Sequence, residues 1–206
     1  MDEQKRVLIE CNRLLAACFC EPEKVLFIEE NLCPNLATLL TSIDSESSKF
    51  AEAMQQELLE TSEVDLKVDH AALFIGPFQL NAPPYGSVYL EKEGQVMGVS
   101  TLRVAQFYEE TGIQVSEKEP ADHIAIELEF MSYLFRCEVD AIHQEKKEDQ
   151  QKFQDLQRVF FKDFLNPWIP IFCQKIEKHA NSQFYRNLAF ILNRVAKKTE
   201  GIVSLS

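Results

Sequence analysis

Leu73-Phe74-Ile75-Gly76-Pro77-Phe78, Ala82-Pro83-Pro84-Tyr85-Gly86-Ser87-Val88-Tyr89 and Glu119-Pro120-Ala121-Asp122-His123 decide how this chain is read. Four of its 6 glycines (Gly76, Gly86, Gly94, Gly98) and three of its 8 prolines (Pro77, Pro83, Pro84) lie between positions 76 and 98. Proline fixes φ and removes a backbone donor, and glycine admits conformations other residues avoid, so a helix cannot run through this segment. An irregular stretch of that length inside a helical protein tends to be either functional or disordered. Its aromatic groups, Phe74, Phe78, Tyr85 and Tyr89, argue for order, because disordered segments are poor in large apolar side chains. The segment reads as an ordered binding loop.

Outward from the loop, nearly everything has helical periodicity. Val7, Leu8, Cys11, Leu14, Leu15 and Cys18 share one face of a first helix, and Pro22 and Pro34 suit the first turns of the next two. The turn Asp44-Ser45-Glu46-Ser47-Ser48 has N-cap chemistry, and a further helix spans about 63–75. Ser100 or Thr101 is expected to cap a helix that ends at Thr111-Gly112. Pro120 is expected to start the longest helix, with Ile124, Leu128, Met131 and Phe135 on one stripe. Residues 144–152 form a solvated run, read as a surface helix or a hinge. Asn166-Pro167 is read as the cap and first residue of the next helix, and Ser182 as the cap of the last. The only strand-like pieces are Ser87–Leu90 and Gln95–Met97, a hairpin too small to be stable alone. The fold class is therefore all-α: one domain over residues 1–206, of about nine or ten helices with one long ordered loop, and a hinge at 112–120 or 144–152 as an option.

Composition narrows the function. The chain of 206 residues has 21 basic and 33 acidic side chains, a net charge of −12, which disfavours nucleic acid and anionic membrane and favours a basic partner. The N-terminal Met1-Asp2-Glu3-Gln4-Lys5-Arg6 opens no apolar signal-peptide core, and no run reaches the ~18 apolar residues of a membrane span. A cytoplasmic protein is expected, without stable membrane insertion. The 6 cysteines include no Cys-x-x-Cys pair and read as buried free thiols in a reducing compartment.

Enzyme chemistry finds little support. There is no phosphate loop, nucleophile elbow or His-Glu-x-x-His motif. His123 and Glu127, four apart on one helix face, supply two metal ligands at most, and His70, His143 and His179 stand on separate elements. A small helical enzyme or metal-binding protein using His123 and Glu127 is the rival reading, and a generic helical adaptor the third. Binding is better supported. Pro83-Pro84 prefers an extended, stiff conformation that presents Tyr85, while Phe74 and Phe78 can line an apolar groove. Asp122 is placed in the first helical turn, where a carboxylate meets free amides, and His123 adds a titratable group beside it.

The three quoted stretches, with Glu127-Leu128-Glu129-Phe130-Met131, Asn166-Pro167-Trp168 and Phe184-Tyr185-Arg186, resemble the TorD/DmsD/NarJ group of redox-enzyme maturation chaperones, its TorD/DmsD branch above all. That resemblance implies a non-enzymatic cytoplasmic chaperone with no cofactor. It implies binding of the twin-arginine signal peptide, and of the core, of a molybdopterin oxidoreductase catalytic subunit of the DMSO or TMAO reductase type, assisting cofactor insertion before Tat export. The leader-binding surface it implies maps to Leu73, Phe74, Phe78, Pro84, Tyr85, Gly86, Ser87, Asp122, His123 and Glu127, with Tyr85 as apolar anchor and Asp122 as acceptor for an arginine. Relatives of the dimethyl-sulfoxide-reductase chaperone often carry Trp where this chain has Tyr85, which leaves the client open. Some members are reported to bind guanine nucleotide, and no phosphate loop here supports that. A monomer is expected, with domain exchange as an alternative.

Overall fold

The chain folds as helices strung on short connections, and in this computed structural model residues 2–76, 80–114 and 119–204 are described. Among them are eleven α-helices. The first five are α1 (Asp2–Phe19), α2 (Lys24–Glu29), α3 (Leu32–Leu40), α4 (Ser45–Glu60) and α5 (Glu63–His70), the last running on into a π-helical turn at Ala71–Ile75. After the loop come the single turn α6 (Ser87–Leu90), α7 (Val99–Glu110) and α8 (Ile124–His143). The chain closes with α9 (Lys147–Phe160, extended by a π-helical turn at Phe161–Leu165), α10 (Ile169–His179) and α11 (Gln183–Val203). No strand occurs among the described residues.

Apolar stripes dictate the packing. Helix α1 lies along α8, α8 along α9, and α11 along both α4 and α10. The stripe Ile124, Leu128, Met131 and Phe135 is buried throughout, so α8 is the central post. Where helices start, side-chain oxygens satisfy free amides: Asp44 accepts from the Ser47 amide at 2.7 Å, and Ser182 from that of Tyr185 at 3.4 Å. Gly112, at φ +82°, lets α7 turn out of its helix, and the Ile113 amide then donates to the Tyr108 carbonyl at 3.0 Å.

One polar group is buried among α1, α8 and α9. The Lys5 ammonium pairs with Glu138, and Gln154 and Gln157 donate to the same carboxylate at 2.7 and 2.9 Å. A lone buried charge would be costly, and here Lys5, Gln154 and Gln157 all donate to Glu138. All six cysteines are free, and Cys11, Cys18, Cys33 and Cys173 are buried.

Several elements differ from expectation. The predicted strand Ser87–Leu90 is a helical turn, because the Gly86 carbonyl accepts from the Tyr89 and Leu90 amides, both at 3.0 Å. Helix α7 starts at Val99, and Ser100 does not cap it: its amide donates to Glu91 at 2.7 Å, so the cap comes from outside the helix. Pro120 lies ahead of α8, which begins at Ile124 behind His123 and, at 20 residues, is shorter than α11 at 21. Helix α10 begins at Ile169, with Pro170 rather than Pro167 in its first turn. The run 144–152 is largely the start of α9.

Candidate functional site: a cleft beside a loop tied to helix α8

The loop is fastened at both ends by main-chain bonds. The Ala82 amide donates to the Leu73 carbonyl at 2.9 Å and the Asn81 side chain to the Ala72 carbonyl at 2.8 Å, satisfying carbonyls freed where α5 ends. Farther on, the Gly86 amide donates to the Asp122 carbonyl at 2.9 Å and the Ile124 amide to the Pro84 carbonyl at 2.8 Å. These bonds make an isolated antiparallel bridge between Tyr85 and His123, 38 positions apart in sequence and ring to ring at 5.3 Å. Gly86 has no room for a side chain, since an added Cβ would lie 3.0 Å from the indole nitrogen of Trp168. Tyr89 stacks on that indole at 5.5 Å and donates its hydroxyl to the Pro83 carbonyl at 2.8 Å.

Beside the bridge opens a cleft of about 360 Å³. Its apolar surface comes from Phe19, Phe74, Ile75, Pro84 and Tyr85, with Ala125 and Ile126 of α8 opposite. Three carboxylates, Glu21, Glu119 and Glu129, stand at its edge, and Cys20 is exposed there. Phe74 is packed between Phe19 at 5.9 Å, His70 at 5.1 Å and Tyr185 at 5.5 Å, so that wall is rigid. The Tyr85 hydroxyl donates to Glu119 at 3.4 Å. Burial first, then the Glu119 charge, pushes the Tyr85 phenol up to about 12, so it stays a neutral donor.

His123 caps α8: its Nδ1 accepts from the Ala125 amide at 3.1 Å. That bond needs a bare Nδ1 and places the ring proton on Nε2. Burial lowers the His123 imidazolium to about 4, against an opposing pull from Asp122, so the ring is neutral near pH 7. His70 is likewise lowered, chiefly by burial, and its Nε2 lies 3.3 Å from the Phe19 carbonyl.

The residues expected at the site divide into two sets. Phe74, Pro84, Tyr85 and His123 line the cleft together. Phe78 lies outside the described residues. Leu73, Gly86 and Ser87 are buried beneath the cleft rather than facing it. Asp122 needs correction as an arginine acceptor and as a first-turn residue. It precedes the cap, is 1% exposed, and its Oδ2 accepts from the Ser87 amide at 2.7 Å. It ties the loop down. Glu127 is also misplaced as a surface group: it is 0% exposed and accepts from the Trp168 indole at 3.1 Å. Glu127 Oε2 is engaged by Trp168 and His123 Nδ1 by a backbone amide. Among the described residues no group of three His, Cys, Asp or Glu side chains has metal-binding geometry.

Glu21 and Glu129 went unseen in the sequence. Glu129 follows Ile126 by three and Ala125 by four positions, so helical spacing sufficed to place it on the cleft face. Phe19 and Glu21 arrive from the end of α1, some hundred residues away, and carry no local signal.

The described residues thus form a helical body with a cleft walled by a tethered loop and by the start of the long central helix α8. The chain belongs to the nitrate reductase delta subunit family, whose model matches residues 37–174. It is 27% identical over 135 residues to the chaperone protein TorD of Vibrio vulnificus, covering 65% of this chain and 61% of that one. It is 33% identical over 129 residues to the Tat proofreading chaperone DmsD of Salmonella typhi, covering 62% of this chain and 56% of that one. Among solved structures, one described as a redox enzyme maturation protein from Archaeoglobus fulgidus superposes with a TM-score of 0.53 at 25% identity, covering 95% of this chain and 93% of that one. The matches to the curated relatives span about three-fifths of those proteins' lengths.

Proposed function

We propose that this protein is a chaperone for redox-enzyme precursors that binds their twin-arginine leader in the cleft between the loop and α8. It acts without catalytic chemistry of its own, in the cytoplasm, holding a molybdopterin oxidoreductase until its cofactor is inserted and export can begin. The observation that carries this reading is the pairing of an apolar surface (Phe74, Ile75, Pro84, Tyr85) with an acidic edge (Glu21, Glu119, Glu129) in one cleft. A twin-arginine leader is an arginine pair followed by an apolar stretch, so each half of the ligand has a matching surface. The Lys67 ammonium, 3.9 Å from Glu21, partly neutralises that carboxylate, leaving Glu119 and Glu129 as the main guanidinium acceptors. The net charge of −12 steers a cationic leader towards the cleft. Family membership and the names of the similar chaperones support the same reading. No helix among the described residues is long and apolar enough to cross a membrane.

The test is calorimetric titration with a synthetic leader peptide. Binding should weaken about tenfold or more when both arginines become lysine, since lysine lacks the bidentate fork. It should also weaken in a Glu119→Gln, Glu129→Gln double variant. Equal affinity for Arg-Arg and Lys-Lys leaders would leave a generic adaptor instead.

A further inference from the structure

Beneath the cleft lies a polar cluster that the leader-binding reading does not use. Asp122 and Glu127 are both buried, and each spends one oxygen on a visible donor: Asp122 Oδ2 on the Ser87 amide at 2.7 Å, Glu127 Oε2 on the Trp168 indole at 3.1 Å. Their other oxygens, Asp122 Oδ1 and Glu127 Oε1, are buried without a hydrogen-bond partner among the described residues, as is Ser87 Oγ. Two acids so placed cannot both carry unpaired charge. One proton resolves this, removing a charge and turning one acceptor into a donor.

We propose that Glu127 stands as a neutral carboxylic acid directed at Asp122 Oδ1, and that the two carboxyls form one strut joining α10, α8 and the loop, with Glu127 as the positioning residue behind Tyr85 and His123. Glu127 is the member that carries the proton. Asp122 holds the backbone amide of Ser87 with one oxygen. Glu127, in the first turn of α8, is 0% exposed and has the Trp168 indole as its donor. The groups facing it are Asp122 from the segment before α8, Tyr108 from α7, whose phenol is pushed up chiefly by burial, and Trp168 ahead of α10. Burial, then the Asp122 charge, holds the Glu127 carboxyl well above the usual carboxylate range. The strut's effect on the cleft follows from connectivity: Asp122 is bonded to Gly86 and Ser87 through its carbonyl and carboxylate, and these residues adjoin Tyr85.

Infrared difference spectroscopy of the parent protein against Glu127→Gln tests the protonation directly. At neutral pH a protonated-carboxyl C=O band is expected in the parent and absent from the variant. Urea unfolding from pH 6 to 10 tests the strut. A group whose folded pKa is raised contributes its stability below its unfolded value and loses it as pH rises through the folded one. Glu127→Gln, which keeps an acceptor for the indole and a donor for Asp122 but cannot ionise, should lie nearest the parent midpoint at pH 6 and exceed it by a margin that grows as pH rises. Glu127→Ala should fall below both throughout. A parent spectrum without the band, or a Gln variant as unstable as the Ala variant, overturns the proposal. Only the expectation that Glu127→Ala also loosens leader binding rests on the function proposed above. A parent that shows the band but binds no leader would sink that function and leave the strut standing.

Discussion

Tyr85 and His123 meet across a single antiparallel bridge, their ring centroids 5.3 Å apart and their planes crossed at 70°. Two main-chain hydrogen bonds hold them there, from Gly86 to Asp122 and from Ile124 to Pro84, at 2.9 and 2.8 Å. The cleft wall is therefore set by backbone, and side chains on it can be changed without moving it.

Tyr85 presents its ring to the cleft while its backbone carries the bridge. Replacing it with alanine removes the apolar anchor and leaves the main-chain bonds in place. Leader affinity should drop by roughly 1–3 kcal/mol with unchanged circular dichroism, measured by calorimetry at two salt concentrations. Parent-like affinity would move the binding site elsewhere.

Asp122→Ala should behave differently. The Ser87 amide would lose its buried acceptor, so folding stability should fall by about 1–3 kcal/mol, seen as a lower urea midpoint. A variant that loses leader affinity at full stability would return Asp122 to the role of direct ligand group.

His123 couples the α8 cap to acidity. Its imidazolium is lowered from 6.5 in the free side chain to about 4 in the fold. A depressed folded value means that the contribution is whole above about 6.5 and drains away as pH falls towards 4. The parent should thus lose stability over that window more steeply than His123→Asn, which keeps a capping acceptor but does not titrate. Parallel pH curves for the two proteins would show that the cap is insensitive to protonation.

Removing Lys5 should be among the costliest single changes away from the cleft. Lys5→Met leaves Glu138 buried with only neutral donors, and about 3–5 kcal/mol of stability should go. Adding Glu138→Gln should restore part of it. Thermal unfolding of the parent, the single and the double variant makes the comparison, and an unaffected single variant would contradict the pairing.

What could be read from the chain beforehand was whatever depends on spacing and on end chemistry. The buried stripe of α8, the Asp44 and Ser182 caps and the Gly112 turn follow from residues within a few positions of one another. Ser87–Leu90 was misread because Val88 and Tyr89 favour strands, whereas its helical turn is fixed by Asp122, 35 positions away. The helix number differs in the same way, eleven being seen among the described residues, because α6 is a single turn held by tertiary contacts. Depth was the least legible quantity. The Glu-Pro-x-Asp-His run announces an acid near a helix start, and nothing in its letters says whether that acid faces solvent or the underside of a loop. The edge carboxylates show the reverse: Glu129 was available from its spacing, and Glu21 became relevant only once α1 was packed against α8.

Of the six thiols, Cys20 is the exposed one, and it stands at the mouth of the cleft between Phe19 and Glu21. Partial burial, then the Glu129 and Glu119 charges, raise its thiol, so a maleimide-linked fluorophore or spin label attached there at mildly alkaline pH would sense a visiting peptide. A leader bearing its own cysteine could be trapped there by oxidation, turning a transient encounter into a species that can be weighed.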